Sequence, residues 1–219
     1  MLAASILVAL CAASSAFAIP AASSNQDRCQ ASIGDHAVAD FGPFTLAALN
    51  KTLGVTSNQT GEPLQLSPSV VNSTGQYRSL ATNATYPYVE FPTFRLVDGG
   101  LIGVNNASTG LGAEADDVRE TYPFSFEVLH TALNPEPVFC AVVGTSPSGS
   151  NPTVLAVHGD TEHFSLCSAH AVNEDAGTDI PLDVVVYHPR ANNHDLYNFR
   201  SCYSVYVQLV PSDATAAGA

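Results

Sequence analysis

A single all-β domain is the fold class this sequence predicts, and three observations predict it. Apolar residues alternate with polar ones, or run in short β-branched stretches, instead of recurring at helical spacing. Gly, Pro, Asn and Ser punctuate those stretches at roughly regular intervals, as between the strands of a sandwich or barrel. A Phe-x-Leu start also recurs, at Phe44, Phe94 and Phe164. Its uneven spacing excludes a solenoid but suits a β-trefoil-like domain with loop insertions. A two-sheet β-sandwich is the alternative.

Residues 1–18, "MLAASILVALCAASSAFA", carry no charge and close on a small-residue pattern, so they read as a secretory signal peptide cleaved after Ala18. The apolar core is too short for a comfortable membrane span. An N-terminal segment, 19–39, follows, with 19–27 expected to be a flexible end. The all-β domain spans 40–210. Its strands are expected at 44–49, 63–66, 94–97, 101–104, 124–129, 138–143, 153–158, 162–167, 183–188 and 204–209. "GAEADDVRE", 112–120, is expected to be a short helix or an acidic loop. Residues 211–219 form a flexible tail without the hydrophobic stretch of a lipid-anchor signal.

Cys11 leaves with the signal, and the four cysteines that remain, Cys29, Cys140, Cys167 and Cys202, suit two disulfides in an exported chain. Four cysteines allow three pairings. The favoured one joins Cys140 to Cys167 and Cys29 to Cys202, the second tying the two chain ends together. Asn50, Asn58, Asn72, Asn83 and Asn106 each begin an N-glycosylation acceptor, whereas Pro152 disqualifies Asn151. A secreted glycoprotein is therefore expected, extracellular or lodged in a cell wall.

The 7 basic and 20 acidic residues give a net charge of −13, with no basic run to track phosphates, so nucleic acid and anionic membranes are not expected partners. Catalytic signatures are lacking too. "GTSPSG", 144–149, places its second glycine one position too late for a nucleophile elbow. "EADD", 114–117, lacks the alternating ligands and turn glycine of an EF-hand loop. No catalytic residue and no cofactor is assigned.

"TVLAVHGDTEHFSLCSAH", 153–170, is the densest collection of metal-ligating residue types. A two-residue Gly159-Asp160 turn would make 153–158 and 162–167 a hairpin, with Leu155, Val157, Phe164 and Leu166 on one face and His158, Thr161, His163 and Ser165 on the other. His158 and His163 would then be diagonal neighbours about 7–8 Å apart at Cα. Zinc or copper between them would take Asp160 or His170 as a third ligand. Exposed polar positions on a hairpin explain the same residues, and that reading is preferred. A blue-copper loop is excluded, because Met1 is the only methionine.

"YPYVEFPTF", 86–94, supplies a binding candidate, since Tyr86 and Tyr88 flank Pro87 and offer ring faces on which a sugar can stack. Phe94 belongs to the expected core.

The order "FTLAAL … PLQL … LVDGGLIG … FSFEV … TVLAVHGDTEHFSLC … YNFRSCYSVYVQLV" resembles small secreted β-rich proteins of fungi. More distantly, it is similar to the C-terminal domain of fungal cell-wall mannoproteins with internal repeats. Leu155 to Cys167, Leu196-Tyr197 and Cys202 to Val205 carry the likeness, which covers roughly 40–210. "ASIGDHAV", 31–38, echoes that family's repeat, in which a glutamine directly before Ile-Gly-Asp is esterified to β-glucan. Here Ser32 stands in that place and Gln30 lies two residues further back. The resemblance implies a non-catalytic cell-surface protein, structural or binding cell-wall polysaccharide; the residue-based alternative is a secreted metal-dependent enzyme or hydrolase using His158, Asp160 and His163.

Overall fold

The computed structural model describes residues 24–53, 60–71, 76–105, 111–130, 133–144, 152–173 and 178–212. The expected signal peptide, the acceptors Asn58, Asn72 and Asn106, and most of the expected tail lie outside them.

All ten expected strands are present. The full order is α1 (Asn25–Ile33), β1 (Ala37–Val38), β2 (Phe41–Asn50), β3 (Glu62–Pro68), β4 (Tyr77–Thr82), β5 (Thr93–Val97), β6 (Gly100–Val104), β7 (Gly112–Ala115), β8 (Ser125–Leu129), β9 (Phe139–Val142), β10 (Val154–Val157), β11 (Phe164–Asn173), β12 (Thr178–Tyr187) and β13 (Tyr203–Pro211). All pairings are antiparallel and belong to one sheet. Following them from β13 through β11, β12, β4, β8, β7, β6, β5 and β2 returns to β13, so nine strands close a ring. β3 bonds to both β2 and β4, while β10, β9 and β1 extend outward from β13. Closure removes the free edges that two stacked sheets would keep, so the molecule is a barrel and not a sandwich.

Aromatic side chains fill the interior. Phe124 stacks on Phe126, Phe139 and Phe164 at ring-centroid distances of 5.3, 5.6 and 6.5 Å, and Phe126 leads on to Phe94 and Phe44. Alternation along each strand brings them there: Leu46, Leu64, Leu96, Leu155, Val157, Leu166, Val185, Val205 and Val207 point into the same core. β11 and β12 are buried on their outer face as well, where Cys167, Ala169, Leu182, Val184 and Val186 pack under Tyr197. Burial on both faces explains the unbroken apolar run Val184-Val185-Val186.

Four expectations need correcting. The segment 112–120, expected as a short helix or an acidic loop, is a loop only over 116–120: β7 occupies its start, because Ala113 and Ala115 alternate inward between β6 and β8 while Glu114 points outward and accepts the Asn134 N–H at 2.7 Å. The described part of the expected flexible end, 24–27, is instead the capped start of α1. There Ser24 and Asp27 form a reciprocal capping box, and Gly34, at φ +116°, ends the helix. A nine-residue helix is marginal alone in water. Cys29 and the Gln26 side chain, bonded to Ala37 and Ala39, hold it on the barrel.

The favoured disulfide pairing is also replaced, by Cys29–Cys140 and Cys167–Cys202. Cys140 lies on β9 under α1, and Cys167 lies on the outer face of β11 beside the start of β13, so neither reaches the partner expected for it.

The expected hairpin, finally, is a turn without a ladder. The central residues are His158 and Gly159, at φ +51° and +81°, and Val157 and Asp160 exchange two backbone hydrogen bonds of 2.9 Å. Beyond that bridge the strands part: β10 pairs with β9 and β13, and β11 with β12 and β13. Leu155, Val157, Phe164 and Leu166 still share the core. Ser165, expected on a solvent face, is buried.

Candidate functional site

β11 and β12 pair in a ten-residue ladder that ends at Phe164 opposite Tyr187. One position further, the His188 N–H donates to the His163 carbonyl at 2.9 Å, so the two histidines face each other across the strands. Their imidazoles stack at 3.8 Å with planes 15° apart, and the Tyr187 ring meets His188 edge-on at 4.5 Å. The backbone turn at Val157 to Asp160 carries the Asp160 side chain to this pair.

Asp160 Oδ2 is the meeting point. It accepts the Tyr187 hydroxyl at 3.0 Å, is in hydrogen-bond contact with His163 Nδ1, and lies 3.7 Å from His188 Nε2. Its other oxygen accepts the Glu162 N–H at 2.7 Å. Burial alone would push the Asp160 carboxyl up, but these hydrogen bonds outweigh it and hold the group below the usual carboxylate range. The Tyr187 phenol is pushed far above its ordinary value, first by burial and then by its hydrogen bond to the Asp160 carboxylate and that group's charge. Side-chain exposure grades outward, from 24% for Asp160 and 27% for His188 to 53% for His163. The cluster is therefore anchored at the core and open to solvent on its His163 side.

Charged groups flank it. Lys51 Nζ lies 3.0 Å from Glu162 Oε2 and 4.2 Å above the Tyr206 ring. Burial pushes the Glu162 carboxyl up, and Lys51, together with hydrogen bonds from Thr161 and Tyr206, brings it below the usual range. Glu120 pairs with Arg190 at 2.6 Å.

The structure thus brings together Asp160 and His163 of the expected metal candidates, and not the other two. His158 sits on the turn, exposed, beside an open groove of about 410 Å³ lined also by Arg28, Ser32 and the Cys29–Cys140 bridge. His170 lies seven residues along the chain from His163, opposite Pro181, roughly 23 Å away at strand rise. His188 takes their place. Sequence reasoning did not select it, because its nearness to His163 depends on a strand pairing between residues 25 positions apart.

Tyr86 and Tyr88 do come together. Both follow the turn after β4, with ring centroids 5.3 Å apart and planes inclined by 60°. Tyr86 packs on the outer apolar layer, and burial raises its phenol pKa. Tyr88 is 71% exposed, and Tyr86 feels the charges of Arg78 and Glu90, an ion pair at 3.3 Å. Of the glycosylation acceptors, Asn50 ends β2, where its Oδ1 accepts both the Thr52 N–H (2.9 Å) and the Thr52 hydroxyl (2.7 Å). Asn83 lies in the turn after β4.

Among the described residues no helix is long and apolar enough to cross a membrane. No family model, curated protein or solved structure matches this chain.

Proposed function

We propose that this protein is an extracellular, N-glycosylated wall protein that binds cell-wall polysaccharide without catalysis, on the face carrying Tyr86 and Tyr88. The observation that carries this reading is the Tyr88 ring, 71% exposed yet backed by Tyr86 at 5.3 Å. A large exposed aromatic held by a second aromatic offers a fixed apolar plate with a polar rim, suited to the C–H face of a pyranose. Two disulfides support an oxidising compartment, and the acidic surface removes phosphate polymers from the field of partners. The resemblance to the C-terminal domain of fungal cell-wall mannoproteins belongs to the same proposal. So does a trefoil-like fold with loop insertions, supported by the convergence of Phe44, Phe94 and Phe164 on one core.

Depletion of the disulfide-bonded chain from solution by insoluble β-glucan, chitin and mannan tests the reading. Saturable loss to one polymer, reduced by Tyr88→Ala without a change in thermal melting, is the expected result. Equal depletion of wild type and variant, or depletion by none of the three, overturns it.

A further inference from the structure

We infer that Asp160, His163 and His188 bind one divalent transition-metal ion, zinc or copper(II), with the Tyr187 hydroxyl orienting the Asp160 carboxylate. This site is separate from the aromatic face. Thr85, next to Tyr86, accepts the backbone N–H of Asp183, four residues from Tyr187 along β12 and so about 13 Å from the cluster.

Spacing is the first argument. One ligand atom each from Asp160, His163 and His188 fits within a mutual separation of 4.8 Å. Bonds of about 2.0–2.1 Å in a tetrahedral shell put neighbouring donors roughly 3.3 Å apart. The distance from Asp160 Oδ2 to His188 Nε2, 3.7 Å, lies a few tenths of an ångström above that value, and a shift of that size completes this edge of the shell.

Chemistry selects the ion. Two imidazoles and a carboxylate suit zinc and copper(II), whereas calcium and magnesium prefer shells of oxygen alone. Among the described residues no lysine or arginine pairs with Asp160; its side-chain ion-pair partners are the two histidines.

The supporting contacts are those of a held site. The Glu162 N–H fixes the second Asp160 oxygen, the backbone bond between His188 and His163 fixes the spacing of the two strands, and Tyr187 is anchored against Phe164 in the core. Such contacts orient ligands and raise affinity. One motion is required. Imidazole lone pairs lie in the ring plane, so two nearly parallel rings cannot aim at one point between them. His163, more than half exposed, has room to turn toward the Asp160 and His188 atoms. Entry is from the same side.

The test uses the full disulfide-bonded chain, stripped by a chelator and titrated with zinc or copper(II) chloride alone. The chain has no tryptophan to mask its eight tyrosines, so copper(II) arriving beside Tyr187 quenches part of the tyrosine emission, and the part lost in the Tyr187→Phe variant is that of the site. One ion per chain is expected, with quenching that saturates at that ratio. His163→Ala, at a position more than half exposed that disturbs melting little, weakens binding by at least the roughly 10- to 100-fold that loss of an outer-shell partner costs, and His188→Ala does the same, whereas His158→Ala and His170→Ala leave it unchanged. No binding, binding that survives His163→Ala, or equal losses from all four variants would overturn the assignment.

Discussion

His163 and His188 stand directly opposite each other one position beyond the last ladder pair of β11 and β12, their imidazoles stacked at 3.8 Å over the Asp160 carboxylate. This arrangement joins a local turn to a long-range strand pairing, and its electrostatics make stability depend on pH at both ends of the scale.

At the acid end, the Asp160 carboxyl is held below the unfolded value of about 3.9. A depressed native pKa means that this contribution is fully present above the unfolded value and is lost as pH falls through the native one. Asp160→Asn is expected to cost about 1–2 kcal/mol at pH 7, from the Tyr187 and Glu162 hydrogen bonds. Urea unfolding at pH 7, 4 and 3 checks it: the difference between wild type and variant should shrink as the acid is added, and a constant difference would refute the assignment.

Tyr187 governs the alkaline end. Its native pKa lies far above the unfolded value of about 10. A raised pKa gives stability that is fully present below the unfolded value and is lost as pH rises toward the native one. Among eight tyrosines it should be the last to ionise. Tyr187→Phe should remove the latest step of the phenolate absorbance titration and cost about 1 kcal/mol at neutral pH. An unchanged late step would place the slow phenol elsewhere.

The two disulfides should differ in what they contribute. Cys29–Cys140 closes a separation of 111 residues and Cys167–Cys202 one of 35. Each should stabilise the fold by about 2–4 kcal/mol, the first by about 1 kcal/mol more on loop-closure entropy. Non-reducing peptide mapping should recover these two pairs. Unfolding of the paired Cys→Ser variants, Cys29 with Cys140 and Cys167 with Cys202, measures the difference; a larger loss from the second pair would contradict it.

Gly159→Ala tests the turn that delivers Asp160. Its φ of +81° disfavours a side chain, and a Cβ there would lie 2.9 Å from Ser32 Cβ on α1. A cost of about 1–2 kcal/mol is expected from the backbone alone. Because the turn would shift, backbone amide exchange at Asp160 and Glu162 should accelerate more than in β12. Protection that stays unchanged at both would show that the turn tolerates the substitution.

Much of the fold was legible along the chain, because a strand writes itself locally. Alternation at Leu64 and Leu66 or at Phe94 and Leu96 requires only that one face be dry. β4 escaped notice because Ser79 and Thr82 are buried polar residues that blur this contrast, and β7 because Ala and Glu read as helix formers. The capping box of α1 was written in Ser24 and Asp27, yet what holds so short a helix is a disulfide to a residue 111 positions away.

The site divides in the same way. Tyr86 and Tyr88 are neighbours in the chain, and Asp160 and His163 are three residues apart, so both pairs could be named from the sequence. By itself the sequence determined an all-β chain, ten of its strand positions, their apolar faces and its four pairing-competent cysteines, all consequences of short-range pattern and composition. Only the tertiary structure decided which strands pair, which cysteines meet, and that His188 rather than His158 or His170 completes the cluster. The physical reason is that pairing between distant strands depends on how every apolar face is buried at once, which no window of the chain contains.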